Sequence, residues 1–418
     1  MITKPKGTYD VIEKEALKLQ KINRLIEFYC NTYNYDFIRT PIFESRELFH
    51  RAVGDETDIV TKETYDFKDR SERELTLRPE GTAGVVRSFI ENKLYGSNLP
   101  RKFYYTGTMY RYERPGNGRN REFTQFGVEI LGSNDPLIDA EIISMPYNLF
   151  QDLGFKDLIV KINNLGTKED RENYKRALKE YLSPHIHELC EDCKRRYETN
   201  PLRILDCKVD QDTEILKNVP NILDYQSEES KTRFNKVKEY LNFLEVDYEV
   251  DSKLVRGLDY YDFTVFEIVL ETEILGGAST IAAGGRYNSL VENLDGPKTP
   301  CIGFACGLER IMLAMDELEE IEKRALDCYI LYVNEEEKLK AMMLAQDLRI
   351  SGVSVDYDTT GRSLKSQFKE ADRNLARLLI ILNSEDLKKG LINVKDNLTK
   401  EEIKIDENEI IDYIVSNG

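Results

Sequence analysis

The spacing of apolar residues near the N-terminus predicts an amphipathic helix followed by an extended segment. Within residues 16–34, Leu25 and Tyr29 are among the apolar positions that recur at the spacing of one helix face. Residues 35–43 follow in an extended pattern, and Pro41 limits this run to an edge or boundary strand because proline has no N–H to donate. We expect this edge to be a place where two subunits meet.

Alternating runs farther along the chain predict an antiparallel β-structure with few helices. The predicted strands are residues 64–67, 74–77, 101–113, 122–131, 260–270, a run from 278, and 301–306. The predicted helices are residues 81–92 and 308–318. The first two strands form a hairpin, and the next two are joined by a loop rich in glycine and arginine, so we expect each pair to be antiparallel.

The last hundred or so residues alternate between strand and helix, which predicts a small α/β domain with parallel pairing. The predicted strands are residues 325–333, 353–357 and 378–382, and the predicted helices are residues 338–350 and 364–373. Acidic residues 316–322 precede this region as a linker. We therefore predict one domain over residues 1–320, interrupted by a helical insertion at about 166–250 where short charged stretches prevail, and a second domain over residues 325–418.

Composition narrows the class of protein. Of 418 residues, 41% are hydrophobic and 32% charged, and the sequence has no apolar run long enough to span a membrane. The N-terminus has no apolar signal core, so we expect a cytoplasmic protein without a membrane. The seven cysteines are scattered in a chain large enough to bury a core, and we expect reduced thiols.

The long predicted hairpin from residue 101 to 131 carries polar side chains at alternate positions of both strands. One face of the first strand holds Gly107, Met109, Arg111 and Glu113, and one face of the second holds Phe123, Gln125, Gly127 and Glu129. The glycines leave space above the sheet. If the two faces coincide, they form the floor of a site for a ligand with cationic and anionic groups; a solvated sheet face is the alternative.

Arginines in and beyond this hairpin suggest phosphate binding. Arg114, Arg119 and Arg121 surround the loop glycines, and guanidinium forks suit phosphate, although an ordinary charged turn is the alternative. Arg310 lies in the first turn of a predicted helix, where a cation is poorly placed for the helix dipole unless an anion is bound. The chain has neither a G-x-G-x-x-G fingerprint nor a Walker A motif, so Rossmann and P-loop nucleotide sites have no support.

These segments resemble the signatures of class II aminoacyl-tRNA synthetases, and specifically of the histidyl-tRNA synthetase family, over nearly the whole chain. The helix and strand before and around Pro41 resemble motif 1, residues 110–129 resemble motif 2, and Gly307-Leu-Glu-Arg310 resembles motif 3. The segments that resemble histidine-specific signatures are Leu77-Arg-Pro-Glu-Gly-Thr82, Leu254-Val-Arg-Gly-Leu-Asp-Tyr-Tyr261 and Ala283-Gly-Gly-Arg-Tyr287.

The resemblance implies the roles of individual residues. Those that would bind ATP are Arg111, Glu113, Arg119, Phe123 and Arg310. Those that would bind histidine are Glu80, Thr82, Arg111, Gln125, Glu129, Arg256, Tyr260 and Tyr261. Arg256, Arg111 and Gln125 would act at the reacting carboxylate and α-phosphate.

The resemblance also implies a reaction and an architecture. ATP, accompanied by Mg²⁺, would activate L-histidine as histidyl-adenylate, and a homodimer would transfer the histidyl group to its tRNA. The implied fold is an α+β catalytic domain on an antiparallel sheet with a helical insertion, followed by a small α/β anticodon-binding domain. The alternatives are a synthetase-like regulator of histidine biosynthesis that does not charge tRNA, which the intact signatures disfavour, and a prolyl or threonyl synthetase, which lacks the hexapeptide from Arg256 to Tyr261.

Two further clusters bear on partners and metals. Arg362, Lys365, Lys369, Arg373 and Arg377 recur at spacings of three and four, as on one face of a helix that binds a nucleic-acid backbone, although a solvated helix face is the alternative. The resemblance favours tRNA, with Arg114 and Arg121 as further contacts. Cys190, Cys193 and Cys207, with His185 and His187 nearby, have the ligand types of a zinc site, but the family does not generally need metal there, so no zinc and no other metal site is expected.

Overall fold

A computed structural model describes residues 1–54, 57, 59–116, 118–318 and 325–417, and its contacts divide the chain into two units, residues 1–320 and 321–418. The first unit is built on an eight-stranded sheet with the strand order β1-β5-β6-β11-β10-β9-β7-β8 and a three-stranded sheet with the order β2-β4-β3. The strands of this unit are β1 Asp36–Phe37, β2 Phe43–Ser45, β3 Tyr65–Lys68, β4 Glu74–Leu77, β5 Arg101–Tyr110, β6 Glu122–Leu131, β7 Leu158–Asn164, β8 Tyr248–Val250, β9 Asp262–Thr272, β10 Gly277–Arg286 and β11 Cys301–Gly307.

The helices of the first unit cover the sheets and form the insertion. They are α1 Glu13–Thr32, α2 Arg46–Val53, α3 Thr82–Glu91, α4 Pro136–Leu153, α5 Lys168–Leu182, α6 Glu191–Thr199, α7 Glu214–Lys217, α8 Glu228–Phe243, α9 Leu290–Asn293 and α10 Leu308–Ala314. Local signals explain several boundaries: Asp135 caps α4 just before Pro136, and Thr167 forms a capping box with Asp170 at the start of α5.

The large sheet is antiparallel except at its two ends, where β1 pairs with β5 and β7 with β8 in parallel. Strand β6 lies inside the sheet and is buried from Gln125 to Leu131. The predicted antiparallel pairing of β5 with β6 is confirmed. The extended segment at 35–43 is strand only at its two ends, because Pro41 interrupts it, as the missing N–H requires.

A buried ion-pair network fastens the helical insertion to the sheet. Asp139 on α4 accepts a hydrogen bond of 2.8 Å from Nε of Arg286, and both side chains are fully buried. Arg233 on α8 reaches the same carboxylate at 3.1 Å, and Thr264 on β9 donates to it at 2.7 Å. Removing one partner of such a network leaves an uncompensated buried charge, so these residues hold α4, α8, β9 and β10 in a fixed arrangement.

The second unit has the predicted α/β alternation. Its strands are β12 Cys328–Leu331, β13 Val355–Tyr357, β14 Leu378–Ile381, β15 Leu391–Asp396 and β16 Glu402–Asp406, and its helices are α11 Glu335–Ile350, α12 Leu364–Arg373, α13 Ser384–Leu387 and α14 Ile410–Asn417. Strand β12 pairs in parallel with β13 and β14, as predicted. Strands β15 and β16, which were not predicted, extend the sheet from β14 in antiparallel pairing. The predicted fold class is therefore confirmed in both units.

Among the residues described, no helix combines the length and the apolar character needed to cross a membrane.

Candidate active site

The two polar faces of the long hairpin coincide. Met109 lies opposite Phe123 and Gly107 lies opposite Gln125 in the register of β5 and β6. A cavity of about 430 Å³ lies on this face of the sheet. Every residue assigned to histidine or ATP from the sequence lines it: Glu80, Thr82, Arg111, Glu113, Arg119, Phe123, Gln125, Glu129, Arg256, Tyr260, Tyr261 and Arg310.

The expectation that the hairpin glycines leave space for a ligand is wrong. A Cβ on Gly127 would lie 2.5 Å from Cζ of Tyr105, and a Cβ on Gly107 would overlap the Arg78 guanidinium. Both spaces are therefore filled by side chains of the protein. Tyr105 is on the neighbouring strand, and Arg78 donates from Nε to the Thr108 carbonyl at 2.8 Å, so the glycines permit close packing beneath the cavity.

A buried carboxylate lies at one end of the cavity, because Glu129 is six residues, or about 20 Å of strand, along β6 from Phe123 at the other end. Glu129 is 1% exposed, accepts a hydrogen bond of 2.6 Å from the Thr82 hydroxyl, and accepts a second hydrogen bond from the Tyr287 hydroxyl. Burial raises the pKa of Glu129 to about 8, although these hydrogen bonds favour the ionised form. Gly303 on β11 lies against this carboxylate, where a side chain would collide with it.

Glu80 caps the start of α3, and Gln125 on β6 attaches the segment before this helix to the sheet. The two oxygens of Glu80 accept hydrogen bonds from the backbone N–H groups of Thr82 and Ala83 at 2.7 and 2.8 Å, which caps the first turn of α3. The amide oxygen of Gln125 accepts the Gly81 N–H at 3.1 Å. Burial raises the pKa of Glu80. Glu80 and Gln125 both line the cavity with Glu129, and their side-chain oxygens keep lone pairs that these hydrogen bonds do not use.

The middle of the cavity contains Arg256 on the segment before β9. One of its terminal nitrogens donates to Glu267 on β9, and the second oxygen of Glu267 accepts a hydrogen bond of 2.7 Å from the Thr280 hydroxyl. Nε of Arg256 is buried and has no hydrogen-bond partner among the residues described. The guanidinium is thus held in position by Glu267 while one donor stays available.

The opposite end of the cavity gathers arginines. Nε of Arg111 donates to the Pro79 carbonyl at 2.9 Å, and its guanidinium lies 5.4 Å from the centre of the Phe123 ring. Burial, and then repulsion by Arg119, lowers the pKa of Arg310, whose Nε is buried and unpartnered within the described residues. Several guanidinium groups in one cavity, one of them with a buried nitrogen that has no hydrogen-bond partner within the described residues, indicate an anionic ligand.

The loop between β5 and β6 reaches this cationic end. Gly118 has φ +73°, and a Cβ there would lie 2.9 Å from Cγ of Arg310, so a glycine is required where the loop crosses that side chain. Arg119 lines the cavity. Arg114 is exposed and outside the cavity, and Arg121 stacks on the Tyr112 ring at 3.8 Å, so the structure does not bring these two arginines to the site of Arg119.

Sequence reasoning missed several residues that organise the cavity. Tyr287 and Glu309 lie in segments that resemble family signatures, but no contact was predicted for either side chain. Glu309 accepts hydrogen bonds from the Tyr9 hydroxyl at 2.8 Å and the Thr124 N–H at 2.6 Å. The alternation of β9 could have placed Glu267 on the cavity face, whereas no local signal connects Tyr9 with a carboxylate three hundred positions away.

The basic cluster of the second unit is less continuous than its spacing predicted. Helix α12 ends at Arg373, so Arg362 and Arg377 lie outside it and the shared helical face is wrong for these two residues. Arg362 and Arg373 both pair with one oxygen of Glu370 at 3.0 Å. The exposed ammonium groups of α12 are Lys365 and Lys369, which have no ion pair within the described residues.

The antiparallel sheet, with a buried carboxylate at one end of its cavity and clustered arginines at the other, and the separate α/β unit define a class II aminoacyl-tRNA synthetase. The family model described as histidyl-tRNA synthetase matches residues 7–311, and the model described as an anticodon binding domain matches residues 327–417. The chain belongs to the histidyl-tRNA synthetase family.

Individual relatives cover almost the full length. The histidine–tRNA ligase of Anoxybacillus flavithermus is 50% identical over 414 residues, which is 98% of both chains, and that of Bacillus subtilis is 47% identical over 416 residues, 99% of this chain and 98% of the relative. The crystal structure of apo histidyl-tRNA synthetase from S. aureus superposes with a TM-score of 0.84 at 39% identity, covering 99% of this chain and all of the other. The family resemblance read from the sequence is confirmed.

Proposed function

We propose that this protein joins L-histidine to its tRNA in two steps, both catalysed in the cavity on the large sheet. In the first, a carboxylate oxygen of histidine attacks the α-phosphorus of ATP, the bond from that phosphorus to the β-phosphate oxygen breaks, and pyrophosphate leaves. In the second, a hydroxyl of the terminal tRNA ribose attacks the carbonyl carbon of histidyl-adenylate, and AMP leaves. The observation that carries the proposal is the buried carboxylate of Glu129 at the end of the cavity opposite to the arginines.

Glu129 supports recognition of the imidazole. A neutral imidazole has one N–H donor and one acceptor nitrogen, and an ionised carboxylate accepts only. Each Glu129 oxygen already accepts one hydroxyl, from Thr82 or Tyr287, which fixes the carboxylate and leaves a lone pair for the ring N–H. Tyr261, which lines the same end, is assigned to the second ring nitrogen, with Tyr260 packed beside it at 4.7 Å between ring centres.

The acceptors beside Glu129 suit the other end of the amino acid. An ammonium group has three donors and no acceptor, so the Glu80 carboxylate, the Thr82 hydroxyl and the Gln125 amide oxygen are assigned to it. Both oxygens of Glu80 already cap α3, so this residue holds the binding segment in place as well as contributing charge.

The cationic end is assigned to ATP. Phe123 offers a ring for stacking on adenine, Arg111 is placed for the α-phosphate, and Arg119 and Arg310 for the outer phosphates. The unpartnered Nε of Arg310 and its lowered pKa support an anionic ligand here. Mg²⁺ enters with ATP and takes oxygen ligands, which Glu113 and the free oxygen of Glu309 also offer in this cavity.

Arg256 is assigned to the point of attack. Its guanidinium lies in the same cavity as both sets of residues and is oriented by Glu267. Fixed donors at the position where charge develops stabilise a transition state without reorganisation, so Arg256 would contact both the histidine carboxylate and the α-phosphate. Gln125 and Arg111 complete the reacting centre.

The second unit is assigned to the anticodon end of the tRNA. Lys365 and Lys369 are the side chains on which this assignment chiefly depends, because their charges are exposed and unpaired within the described residues. Arg362 and Arg373 would have to exchange their pairing with Glu370 for phosphate. Arg114 and Arg121 lie in the loop between β5 and β6, as Arg119 does, but they do not line the cavity. They are assigned to the acceptor end of the tRNA.

We also propose a homodimer that works in the cytoplasm. Aromatic side chains on edge strands of both sheets are exposed, among them Phe37 on β1 at 57% and Phe43 on β2 at 54%. A second copy would cover such an apolar edge. Light scattering of the full chain tests the association state directly, since a monomer at working concentrations contradicts it.

The regulatory alternative is not favoured. A regulator that binds histidine without charging tRNA has no need of an anticodon-binding domain, and the chain carries one over residues 327–417. The experiment that separates the two is aminoacylation of a histidine tRNA transcript with labelled histidine and ATP. Charging that depends on all three substrates supports the proposal, and histidine binding without any charging supports the regulator.

A further inference from the structure

The helical insertion brings four potential metal ligands together, far from the cavity in sequence. They are Cys190, Cys193, Cys207 and Asp210, and their ligand atoms all lie within 4.8 Å of one another. The last three are buried and Cys190 is half-buried. The histidines considered from the sequence take no part: His185 is exposed and lies 3.0 Å from Glu188.

The separations in this cluster match a tetrahedral metal site. Sγ of Cys190 lies 3.7 Å from Sγ of Cys207, and Sγ of Cys207 lies 3.6 Å from Oδ2 of Asp210. With bonds of about 2.3 Å to sulfur and about 2.0 Å to oxygen, a tetrahedral Zn²⁺ has edges of about 3.8 Å between two sulfurs and about 3.5 Å between sulfur and oxygen. The other separations stay within 4.8 Å, so small side-chain adjustments would bring all four atoms to one ion.

The chain presents the ligands as two short pairs. Two residues separate Cys190 from Cys193, and two separate Cys207 from Asp210. The second pair therefore has the spacing of a C-x-x-C pair, with an aspartate in place of the second cysteine. Cys190 is the residue just before α6, and its N–H donates to Oδ2 of Asp210 at 3.1 Å. That bond connects the two pairs and orients the carboxylate, as partners of metal ligands commonly do.

We propose that these four residues bind one structural Zn²⁺. The three thiolates favour a soft divalent ion, and the closed set of four protein ligands is typical of structural sites. A disulfide between Cys190 and Cys207 would leave Cys193 and Asp210 without a role. A cluster of neutral thiols would offer the buried Asp210 carboxylate, besides the Cys190 N–H, only weak S–H donors. This proposal departs from the sequence-based expectation of no zinc, because sequence spacing grouped the three cysteines but did not identify Asp210 as a fourth ligand.

Metal binding at this cluster would also restrain a residue near the active-site arginine Arg256. Asp206 precedes Cys207 and lies within electrostatic reach of Glu267 and Arg256. A metal that fixes the turn at Cys207 would therefore restrain Asp206 beside the arginine assigned to catalysis. This consequence depends on the proposed function, whereas the zinc site itself does not.

The first test is the zinc content of the full-length protein, purified without chelators or metal-affinity tags and with zinc in the growth medium. About one Zn²⁺ per chain is expected, with loss of the metal in Cys207→Ala. Cys30→Ala is the matched control, because Cys30 is also a fully buried thiol in the first unit but outside the cluster, and it should keep its zinc. Clearly sub-stoichiometric zinc in the wild-type chain, or a disulfide between Cys190 and Cys207 after anaerobic purification, overturns the proposal.

A second test begins with the wild-type protein, and that part of it does not depend on the folding of a variant. Zinc is removed from the wild-type protein and Co²⁺ is added, and tetrahedral thiolate coordination gives visible ligand-field bands with a thiolate charge-transfer band in the ultraviolet. Asp210→Cys should retain the metal and strengthen the charge-transfer band through a fourth thiolate. A spectrum of octahedral cobalt, or a spectrum unchanged by Asp210→Cys, would contradict the assigned ligands.

Discussion

Replacing Gly303 with alanine would place a methyl group in the space that the Glu129 carboxylate occupies. The added Cβ would lie 2.5 Å from the Val128 carbonyl oxygen, 2.8 Å from Cδ of Glu129 and closer still to one of its carboxylate oxygens. Backbone cannot move away cheaply in the middle of a sheet, so the Glu129 side chain has to shift. The shift would disrupt the hydrogen bonds from Thr82 and Tyr287 that orient the carboxylate.

The expected losses of stability and of activity follow from overpacking and from the displacement of one charged hydrogen-bond acceptor, respectively. Overpacking a well-filled site costs about 1–3 kcal/mol, which should appear as a lower free energy of unfolding. A hydrogen bond to a charged group contributes about 1.5–3 kcal/mol, so losing the bond from Glu129 to the imidazole should lower kcat/KM for histidine roughly 10- to 200-fold. The KM for ATP should change much less, because the arginines lie at the other end of the cavity.

The assay is histidine-dependent ATP–pyrophosphate exchange, with chemical unfolding in parallel. Gly96→Ala is the control: a Cβ at Gly96 meets no atom within 4 Å, and the change in unfolding free energy should stay within about 1 kcal/mol. If Gly303→Ala keeps a wild-type KM for histidine and a wild-type stability, the close approach of Gly303 to Glu129 does not constrain the site and the reasoning is refuted.

Three other predictions concern the remaining parts of the site. Arg256→His should lower kcat for exchange by about 10²–10³-fold with a smaller change in histidine binding, measured by calorimetry, and an equal loss of binding would contradict its assigned role. Since the pKa of Glu129 is raised to about 8, kcat/KM for histidine should rise with pH through that value as the accepting carboxylate forms; this limb should vanish in Glu129→Gln, and an identical pH profile in both proteins would rule out Glu129 as its source. Lys365→Glu combined with Lys369→Glu should raise the KM for tRNA and leave ATP–pyrophosphate exchange unchanged. The slope of the logarithm of tRNA affinity against the logarithm of salt concentration should become about 2 smaller in magnitude. Unchanged tRNA charging at all salt concentrations would exclude these lysines from the tRNA interface.

Sequence patterns predicted the parts of this protein that local periodicity specifies. The hairpin of β5 and β6 and helix α12 have almost the predicted bounds, because alternation and helical spacing report burial on one face. The strand predicted to continue to residue 113 ends at Tyr110, since the Tyr112 N–H instead donates to the Glu63 carbonyl at 2.7 Å. A long-range hydrogen bond of that kind leaves no mark on local periodicity.

In the cavity too, local sequence predicted some features and long-range contacts determine others. Recognisable segments supplied all of the residues assigned to histidine and ATP, and the fold brings them to one cavity. The sequence could not indicate the hydrogen-bond partners that orient these and neighbouring side chains. Glu267 accepts from Arg256, Tyr287 donates to Glu129, and Tyr9 donates to Glu309. These contacts join elements distant in the chain, and the glycine spaces were misinterpreted for the same reason, because the side chains that fill them come from other strands and loops.

We propose above that the cavity activates histidine, and the assigned contacts exclude the other amino acids. The most direct test is ATP–pyrophosphate exchange by the full-length protein with each of the twenty amino acids in the absence of tRNA. We expect exchange with histidine alone, because a buried carboxylate in the same cavity as Tyr261 fits a ring that carries an N–H and a second nitrogen. Exchange with a different amino acid, or with none in a folded protein that still binds histidine, would contradict the proposal.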